Sequence, residues 1–140
     1  MVPLGRTEGS LTPRTTPTLN ETDLLWAFIS QAPKALPSVR IYRRAVVNVQ
    51  AVQGFRVRAG IPGQADAYAL CRGGLHVELE TKAATGRLEQ AQKRWRAFCR
   101  EFRIPHMVLR AAPDEAPEAT VERWIDELAA TLLLSGGRDK

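Results

Sequence analysis

One part of the chain combines two carboxylates and a lysine in an order suited to phosphodiester chemistry: Asp66, then, after a short gap, Glu80-Thr81-Lys82. Two carboxylates that lie side by side can hold a magnesium ion, which prefers oxygen ligands. A lysine two residues further along the same strand face can reach the water or the phosphate that such an ion activates. These residues are the minimum set for metal-dependent cleavage of a phosphodiester bond.

The spacing of the sequence predicts how these side chains come together. Residues 75–82 alternate between apolar and polar types, and a strand has a period of two, so Glu80 and Lys82 share one face. Residues 63–71 also read as a strand, and the Arg-Gly-Gly that follows reads as a tight hairpin turn. We therefore expect Asp66 to lie beside Glu80. The alternative is a solvated strand face, where ion pairs contribute little.

A helix predicted from Leu88 to Phe102 adds a polar group to this region. Apolar residues recur along it at helical spacing, and Gln92 falls inside the apolar stripe. An unpaired buried amide costs about 1–3 kcal/mol, so Gln92 is either a satisfied core group or part of a polar site. The outer side of the helix is basic and suits nucleic-acid phosphates, with a solvated helix face as the alternative. Its cations are Arg87, Lys93, Arg94, Arg96 and Arg100.

A further carboxylate stands at the start of the first predicted helix, which runs from about Glu21 to Ala32 and is ended by Pro33 and Pro37. Glu21 lies near the centre of the apolar stripe of this helix, as a site residue would. It also fits a capping box that begins at Thr18, in which Glu21 would be the third helical residue. Both interpretations of Glu21 stay open.

The remaining segments provide the frame for these residues. A strand is predicted over 40–49, where Arg43 and Arg44 are candidates for phosphate contacts or for plain surface charge. A short strand piece over 55–58, a strand over 106–110 and a helix over about 118–134 complete the pattern. The last helix has a wide apolar stripe, which either packs on its own core or forms a dimer surface.

Three segments of the chain, in this order and at these distances, resemble the VRR-NUC domain, a branch of the PD-(D/E)xK nuclease superfamily that also occurs as small stand-alone phage and bacterial proteins. They are Gly-Ile-Pro-Gly-Gln-Ala-Asp at 60–66, Val-Glu-Leu-Glu-Thr-Lys at 77–82 and Gly-Arg-Leu-Glu-Gln-Ala-Gln-Lys-Arg-Trp at 86–95. The resemblance extends over roughly residues 20–110. It implies a nuclease with a restriction-endonuclease-like core.

The resemblance also implies a role for each residue of the motif. Asp66 and Glu80 would bind Mg²⁺, for which Mn²⁺ could substitute, and the backbone carbonyl of Thr81 would be a third protein ligand. Lys82 would orient the attacking water or stabilise the transition state. Gln92 would hold a ligand or the scissile phosphate at the edge of the metal site.

Two positions match the family pattern less directly. Glu21 corresponds to the first-helix glutamate of the family, in a segment with few landmarks. In many relatives the aspartate follows the proline directly, whereas here Gly63, Gln64 and Ala65 separate Pro62 from Asp66. Asp66 is the only carboxylate in that stretch and is therefore the metal ligand that we expect.

The expected fold class is α/β, with an α-β-β-β-α-β core in which helices flank a small mixed sheet, plus a C-terminal helix. We expect a disordered tail over 1–19 and a nuclease domain over 20–112. A linker and helix over 113–134 would pack on the core or at a dimer interface, and 135–140 would form a flexible tail.

The length and the hydrophobic content of the chain agree with one small domain, and its basic charge agrees with binding to a polyanion. The chain has 140 residues, 44% of them hydrophobic, a formal net charge of +5 and a pI of about 9.8. Cys71 and Cys99 fit reduced core thiols, and no zinc spacing, signal peptide or membrane span is apparent in the sequence. We expect a cytoplasmic protein of a bacterium or of a phage-infected cell.

These features together predict a magnesium-dependent endodeoxyribonuclease that acts selectively on branched DNA, as a Holliday-junction resolvase does. Symmetric cutting of a junction is most simply done by a homodimer. One alternative is a nuclease of the same fold that acts on flaps, nicks, ends or RNA. The other is a non-catalytic nucleic-acid-binding module, which would have no need for Asp66, Glu80 and Lys82 together.

Overall fold

The computed structural model describes residues 20–45, 47–50 and 56–136, with the backbone alone over 47–50 and 56–59. The predicted tail over 1–19 lies outside the described residues, as do residues 137–140. The helices and strands are α1 Glu21–Ala35, β1 Val39–Arg43, β2 Val47–Gln50, β3 Arg56–Ala59, β4 Ala67–Cys71, β5 His76–Lys82, α2 Gln90–Glu101, β6 His106–Arg110 and α3 Pro117–Gly136.

The fold is α/β, with a small mixed sheet flanked by helices and a C-terminal helix, as the sequence predicts. The four-stranded sheet has the order β1-β4-β5-β6, and β2 and β3 form a separate antiparallel pair. Within the sheet, β1 and β5 both run antiparallel to β4, and β6 runs parallel to β5. A parallel pair needs a crossover connection, which α2 provides between β5 and β6.

One face of the sheet forms the hydrophobic core with α1 and α3. The alternate residues Val77 and Leu79 of β5 are fully buried on this face. Above them Phe28 of α1 meets Trp124 of α3 edge to face, with ring centroids 5.8 Å apart, a favoured geometry for aromatic pairs. The apolar stripe of α3 therefore packs on the core of its own chain, which was one of the two positions predicted for it.

The other face of β5 is polar and is covered by α2. Gln92 and Trp95 of this helix donate hydrogen bonds to carboxylates of β5. The predicted apolar stripe of α2 is only partly buried: Cys99 is buried, whereas Phe98 is 40% and Phe102 60% exposed. The stripe is partly exposed because α2 meets the sheet through polar contacts and leaves one flank of the stripe in solvent.

Several element boundaries differ from those predicted, and two of the differences bear on how the elements are arranged. Helix α1 continues through Pro33 to Ala35. The proline falls in the last turn of the helix, where the N–H of Leu36 still donates to Ala32 at 2.7 Å. The single strand predicted over 40–49 is two strands, because β1 pairs with β4 whereas β2 pairs with β3.

Cys71 and Cys99 are both free thiols, half-buried and buried respectively. Burial raises the pKa of Cys99 to about 11, which keeps its thiol protonated at neutral pH. Among the described residues, no helix combines the length and the apolar character that a membrane crossing requires.

Candidate active site

The β4–β5 hairpin brings Asp66 and Glu80 together, as predicted. Ala67 pairs with Leu79, so the residues one step further out, Asp66 and Glu80, lie at the same level of the hairpin. Asp66 immediately precedes β4. Its Oδ2 accepts hydrogen bonds from the backbone N–H and the side-chain hydroxyl of Thr81, each at 2.8 Å. Because both bonds end on the same oxygen, the other oxygen of Asp66 can serve as a ligand.

Glu80 is a buried carboxylate, 2% exposed, with one satisfied and one unsatisfied oxygen. Oε2 accepts a hydrogen bond of 2.7 Å from Gln92, whereas Oε1 is buried and no described residue donates a hydrogen bond to it. Burial, then the charge of Asp66, and then a hydrogen bond in which the two carboxylates share a proton raise the pKa of Glu80 to about 8. Such an arrangement costs free energy unless a proton or a cation compensates the charge.

Gln92 is held at both ends of its amide. Its oxygen accepts the backbone N–H of Glu89, the N-cap residue of α2, at 2.8 Å, and its nitrogen donates to Glu80. The side chain therefore satisfies an N–H group that the start of the helix leaves free and also contacts the site. The predicted position of Gln92, facing the sheet beside the carboxylates, is confirmed.

Lys82 is the last residue of β5 and is half-buried. Its side chain projects to the same face of β5 as that of Glu80, because the two residues are two positions apart in a strand. The positive charge of Lys82 partly offsets the rise in the pKa of Glu80. Lys82 is also paired in register with Arg110 of β6, so two cations meet at this end of the strands.

Glu21 is the first residue of α1, which corrects its predicted place in a capping box. The N-cap is Asn20, whose side chain accepts the N–H of Asp23 at 2.9 Å, and Asp23 is the third helical residue. The cap residue proposed in the sequence, Thr18, lies outside the described residues. Glu21 borders a cleft of about 700 Å³ together with Ala83, which directly follows β5, but the carboxylate pair is not part of the lining of that cleft.

The carboxylate oxygens of this site are of the chemical type that a magnesium ion prefers. Mg²⁺ is commonly held by one or two carboxylates while it keeps several waters, and here Asp66 and Glu80 offer two carboxylates. The unpaired buried oxygen of Glu80 is the group that a cation would satisfy. Within the described part of the chain, no group of three or more His, Cys, Asp or Glu side chains could hold a metal. A third protein ligand would have to be a backbone oxygen, and the predicted role of the Thr81 carbonyl stays a prediction.

A groove on one flank of α2 gathers most of the predicted basic residues. It has a volume of about 430 Å³, and we call it the basic groove. Its charged lining consists of Arg87, Lys93, Arg96, Arg100 and Arg110. Arg94 is exposed on the same helix but does not line the groove. Arg110 connects the groove to the end of β5, because it pairs in register with Lys82.

The two arginines at the end of β1 have partners within the chain. Arg43 lies over the ring of Trp26, with its guanidinium carbon 5.5 Å from the ring centroid. Arg44 forms two hydrogen bonds with Glu78, at 2.8 and 3.0 Å, and is largely buried. The phosphate contact predicted for Arg44 is therefore replaced by an internal ion pair, since its guanidinium is directed at a buried carboxylate.

Sequence reasoning missed three residues of this region. Neither Glu78 nor Trp95 is among the site residues that the sequence predicts, although the indole N–H of Trp95 donates to Glu78 at 2.9 Å. Arg110 was not considered as a partner of Lys82. For Glu78 the available signal was alternation, which puts it on the same face as Glu80.

No protein-family model matches this chain, and no curated protein matches it at a significant level. The fold and the geometry above are thus the basis for a functional assignment.

Proposed function

We propose that this chain is a magnesium-dependent endonuclease that hydrolyses phosphodiester bonds of DNA, with a core of the restriction-endonuclease-like type found in VRR-NUC domains. The observation that supports this most directly is the buried oxygen of Glu80 beside Asp66 that receives no hydrogen bond from any described donor. A structural carboxylate would be expected to have both oxygens satisfied. A cation bound between Glu80 and Asp66 would compensate this carboxylate pair.

Each residue of the site has a distinct task in this proposal. When bound, magnesium would supply an activated water and offset negative charge on the phosphate. Asp66 and Glu80 would hold it, and Glu80 would give up its proton in doing so, because its pKa of about 8 keeps it largely protonated at neutral pH. Gln92 keeps Glu80 oriented through its hydrogen bond. Lys82 would hold the attacking water or stabilise charge on the phosphate oxygens.

The basic groove supports a nucleic-acid substrate. Its five cations are close enough to define one concave surface, and phosphate contacts from such surfaces supply affinity without sequence specificity. Arg110 lines the groove and is paired in register with Lys82. A DNA backbone that follows the groove would therefore reach the carboxylates.

The order of elements around the site supports the restriction-endonuclease-like assignment. The carboxylates lie on an antiparallel hairpin, the second strand of that hairpin is followed by a helix, and the helix returns to a parallel strand. This is the α-β-β-β-α-β order expected from the sequence, with β2 and β3 as an additional pair outside the main sheet.

The proposed substrate is branched DNA and the proposed assembly is a homodimer, as the sequence resemblance implies. A two-fold dimer would present two equivalent sites to the two strands of a four-way junction. The end of α3 offers an apolar surface for such an assembly, since Leu133 and Leu134 are 75% and 81% exposed.

The test is a cleavage assay on labelled four-way junction, flap, nicked, linear duplex and single-stranded DNA. Each substrate is incubated with Mg²⁺, with Mn²⁺ and with EDTA, using the natural protein and the Glu80→Ala variant. Paired symmetric cuts in the junction that disappear in EDTA and in the variant are the expected result. Cuts in flaps or ends alone would retain the site and change the substrate. Binding without cleavage under every metal condition would overturn the enzymatic proposal in favour of a DNA-binding module.

A further inference from the structure

A second buried carboxylate, Glu78, lies two residues before Glu80 on the same face of β5. Like Glu80 it is 2% exposed, but its hydrogen bonding is the opposite of that of Glu80. Oε1 accepts from Arg44 at 2.8 Å and from Trp95 at 2.9 Å. Oε2 accepts from Arg44 at 3.0 Å and contacts the imidazole of His76. With two partners on each oxygen, Glu78 is suited to fixing its neighbours and not to binding a cation.

Through Arg44, Glu78 is connected to the backbone on both sides of Asp66. The guanidinium of Arg44 donates to the carbonyl of Ala65 at 3.0 Å. The backbone N–H of Arg44 donates to the carbonyl of Asp66 at 2.7 Å. The same guanidinium lies over the ring of Tyr68, 4.7 Å from the centroid. Since Arg44 is held in a two-pronged ion pair, the segment that carries Asp66 is held as well.

Through Trp95, Glu78 is also connected to α2. Trp95 follows Gln92 by three residues, so the two side chains project from the same face of the helix. Trp95 donates to Glu78 while Gln92 donates to Glu80. Glu78 and Glu80, on one face of β5, therefore bind Trp95 and Gln92, on one face of α2. These two contacts fix the rotation of α2 and its position along the site.

We propose that Glu78 is a positioning residue of the candidate active site, which holds Arg44 and Trp95 so that Asp66 and Gln92 converge on Glu80. This inference rests on the proposed function for its effect on activity, but its geometric content is independent of that function. Residues that orient the ligands of a metal typically change metal affinity or activity by about 10–100-fold when replaced.

The experiment uses three variants and one control. Glu78→Gln keeps the shape of the side chain and removes its charge, Arg44→Lys removes the two-pronged contact, and Trp95→Phe removes only the N–H donor. The control is Arg40→Lys, which alters an exposed arginine of β1 whose bonds, among the described residues, are to the nearby carbonyls of Pro37 and Val39. Arg44→Lys also serves in place of Glu78→Gln if the latter does not fold.

Two readouts separate this inference from the proposed function. The first is the Mg²⁺ concentration that gives half-maximal cleavage, together with the Mg²⁺-induced rise in melting temperature. We expect Glu78→Gln and Arg44→Lys to require about tenfold more Mg²⁺ or to lose about tenfold in turnover. We expect Trp95→Phe to lower turnover more than Mg²⁺ affinity, and Arg40→Lys to match the natural protein.

The second readout requires neither metal nor activity. The amide N–H of Thr81 donates to Asp66, so its hydrogen-exchange protection reports whether Asp66 keeps its position. We expect Glu78→Gln and Arg44→Lys to lower this protection, while the amides of the core strand residues Val77 and Leu79 stay protected. Unchanged Thr81 protection in folded Glu78→Gln and Arg44→Lys proteins would overturn the inference, whether or not the natural protein cleaves DNA. Absence of cleavage by the natural protein would overturn only the proposed function.

Discussion

The side-chain amide of Gln92 donates a hydrogen bond of 2.7 Å to Glu80, while its oxygen accepts the backbone N–H of Glu89. The second contact settles the orientation of the amide, because a backbone N–H can only donate. Gln92 therefore presents a donor to Glu80. It occupies one carboxylate oxygen, and the other, Oε1, which no described residue bonds as a donor, is the ligand position in the proposed metal site.

Replacing Gln92 by alanine is expected to affect both rate and stability. The loss of the donor should reduce single-turnover cleavage at saturating Mg²⁺ by about 10–100-fold. It should also reduce the free energy of unfolding by about 1–3 kcal/mol, because the N–H of Glu89 and one oxygen of Glu80 lose their partner. Gln90→Ala is the control, since Gln90 is exposed in the first turn of the same helix. Equal cleavage rates for the two variants would contradict the role given to Gln92.

Without a divalent metal, the contribution of Glu80 to the stability of the folded protein should fall as the pH rises from about 4.5 to about 8. The pKa of Glu80 is raised from an ordinary value of 4.5 to about 8 in the folded chain. In this range the folded state binds more protons than the unfolded state, so raising the pH disfavours folding. Glu80→Gln removes this contribution, and urea unfolding in EDTA at several pH values should show a flatter dependence for the variant. Parallel curves would mean that Glu80 is not protonated in the folded protein.

Magnesium should stabilise the natural protein and not the Glu80→Gln variant. A ligand that binds only the folded state adds stability by mass action, about 2.7 kcal/mol at a concentration one hundred times its dissociation constant. The effect should be larger at pH 8 than at pH 5, because Mg²⁺ competes with the proton on Glu80. Thermal unfolding with Mg²⁺ or EDTA measures it, and an equal shift in both proteins would place the metal elsewhere.

Arg96 and Arg94 form a matched pair for testing the basic groove. Both are exposed on α2, but only Arg96 lines the groove. Arg96→Ala should weaken DNA binding and reduce the slope of log affinity against log salt by about 1, as expected for the loss of one phosphate contact. Arg94→Ala should change both quantities less. Fluorescence anisotropy titrations over a range of salt decide the matter, and a larger effect at Arg94 would move the DNA path to the other flank of α2.

Gly63 lies in the loop that leads to Asp66 and packs closely against the helix that carries Gln92. It should therefore not tolerate a side chain. Its φ is +83°, and a Cβ at this position would lie 2.2 Å from the carbonyl oxygen of Ala91. Gly63→Ala should reduce the free energy of unfolding by more than about 2 kcal/mol and lower cleavage. Gly73→Ala has a similar φ of +96° with nothing within 4 Å, and should cost only about 1–2 kcal/mol of backbone strain. Equal losses in the two variants would exclude a steric contact at Gly63.

The parts of the site that the sequence could predict depend on local patterns. Alternation along β5 and a Gly-Gly turn are enough to place Asp66 beside Glu80, because strand periodicity and hairpin geometry act over a few residues. Helical periodicity likewise directs Gln92 toward the sheet. These predictions needed no knowledge of which distant segment packs against which.

The parts that could not be predicted depend on contacts between distant segments. Arg44 and Glu78 are 34 residues apart, and no local pattern shows that the former turns inward to the latter. The exposure of Phe98 and Phe102 follows from the polar character of the sheet face opposite α2, which the period of the helix does not reveal. The predicted capping box makes Glu21 the third residue of α1, whereas it is the first. Residue type alone could not decide this, since Thr18 and Asn20 are both acceptable caps.

Strand β5 is buried on both sides, apolar toward α1 and α3 and charged toward α2. A slip of one residue in its pairing would turn Glu78 and Glu80 toward Phe28 and Trp124, away from every donor that they have. Burying a carboxylate without a partner carries a large free-energy penalty. The same charges that serve the site thus make misaligned forms of the sheet too unstable to compete during folding.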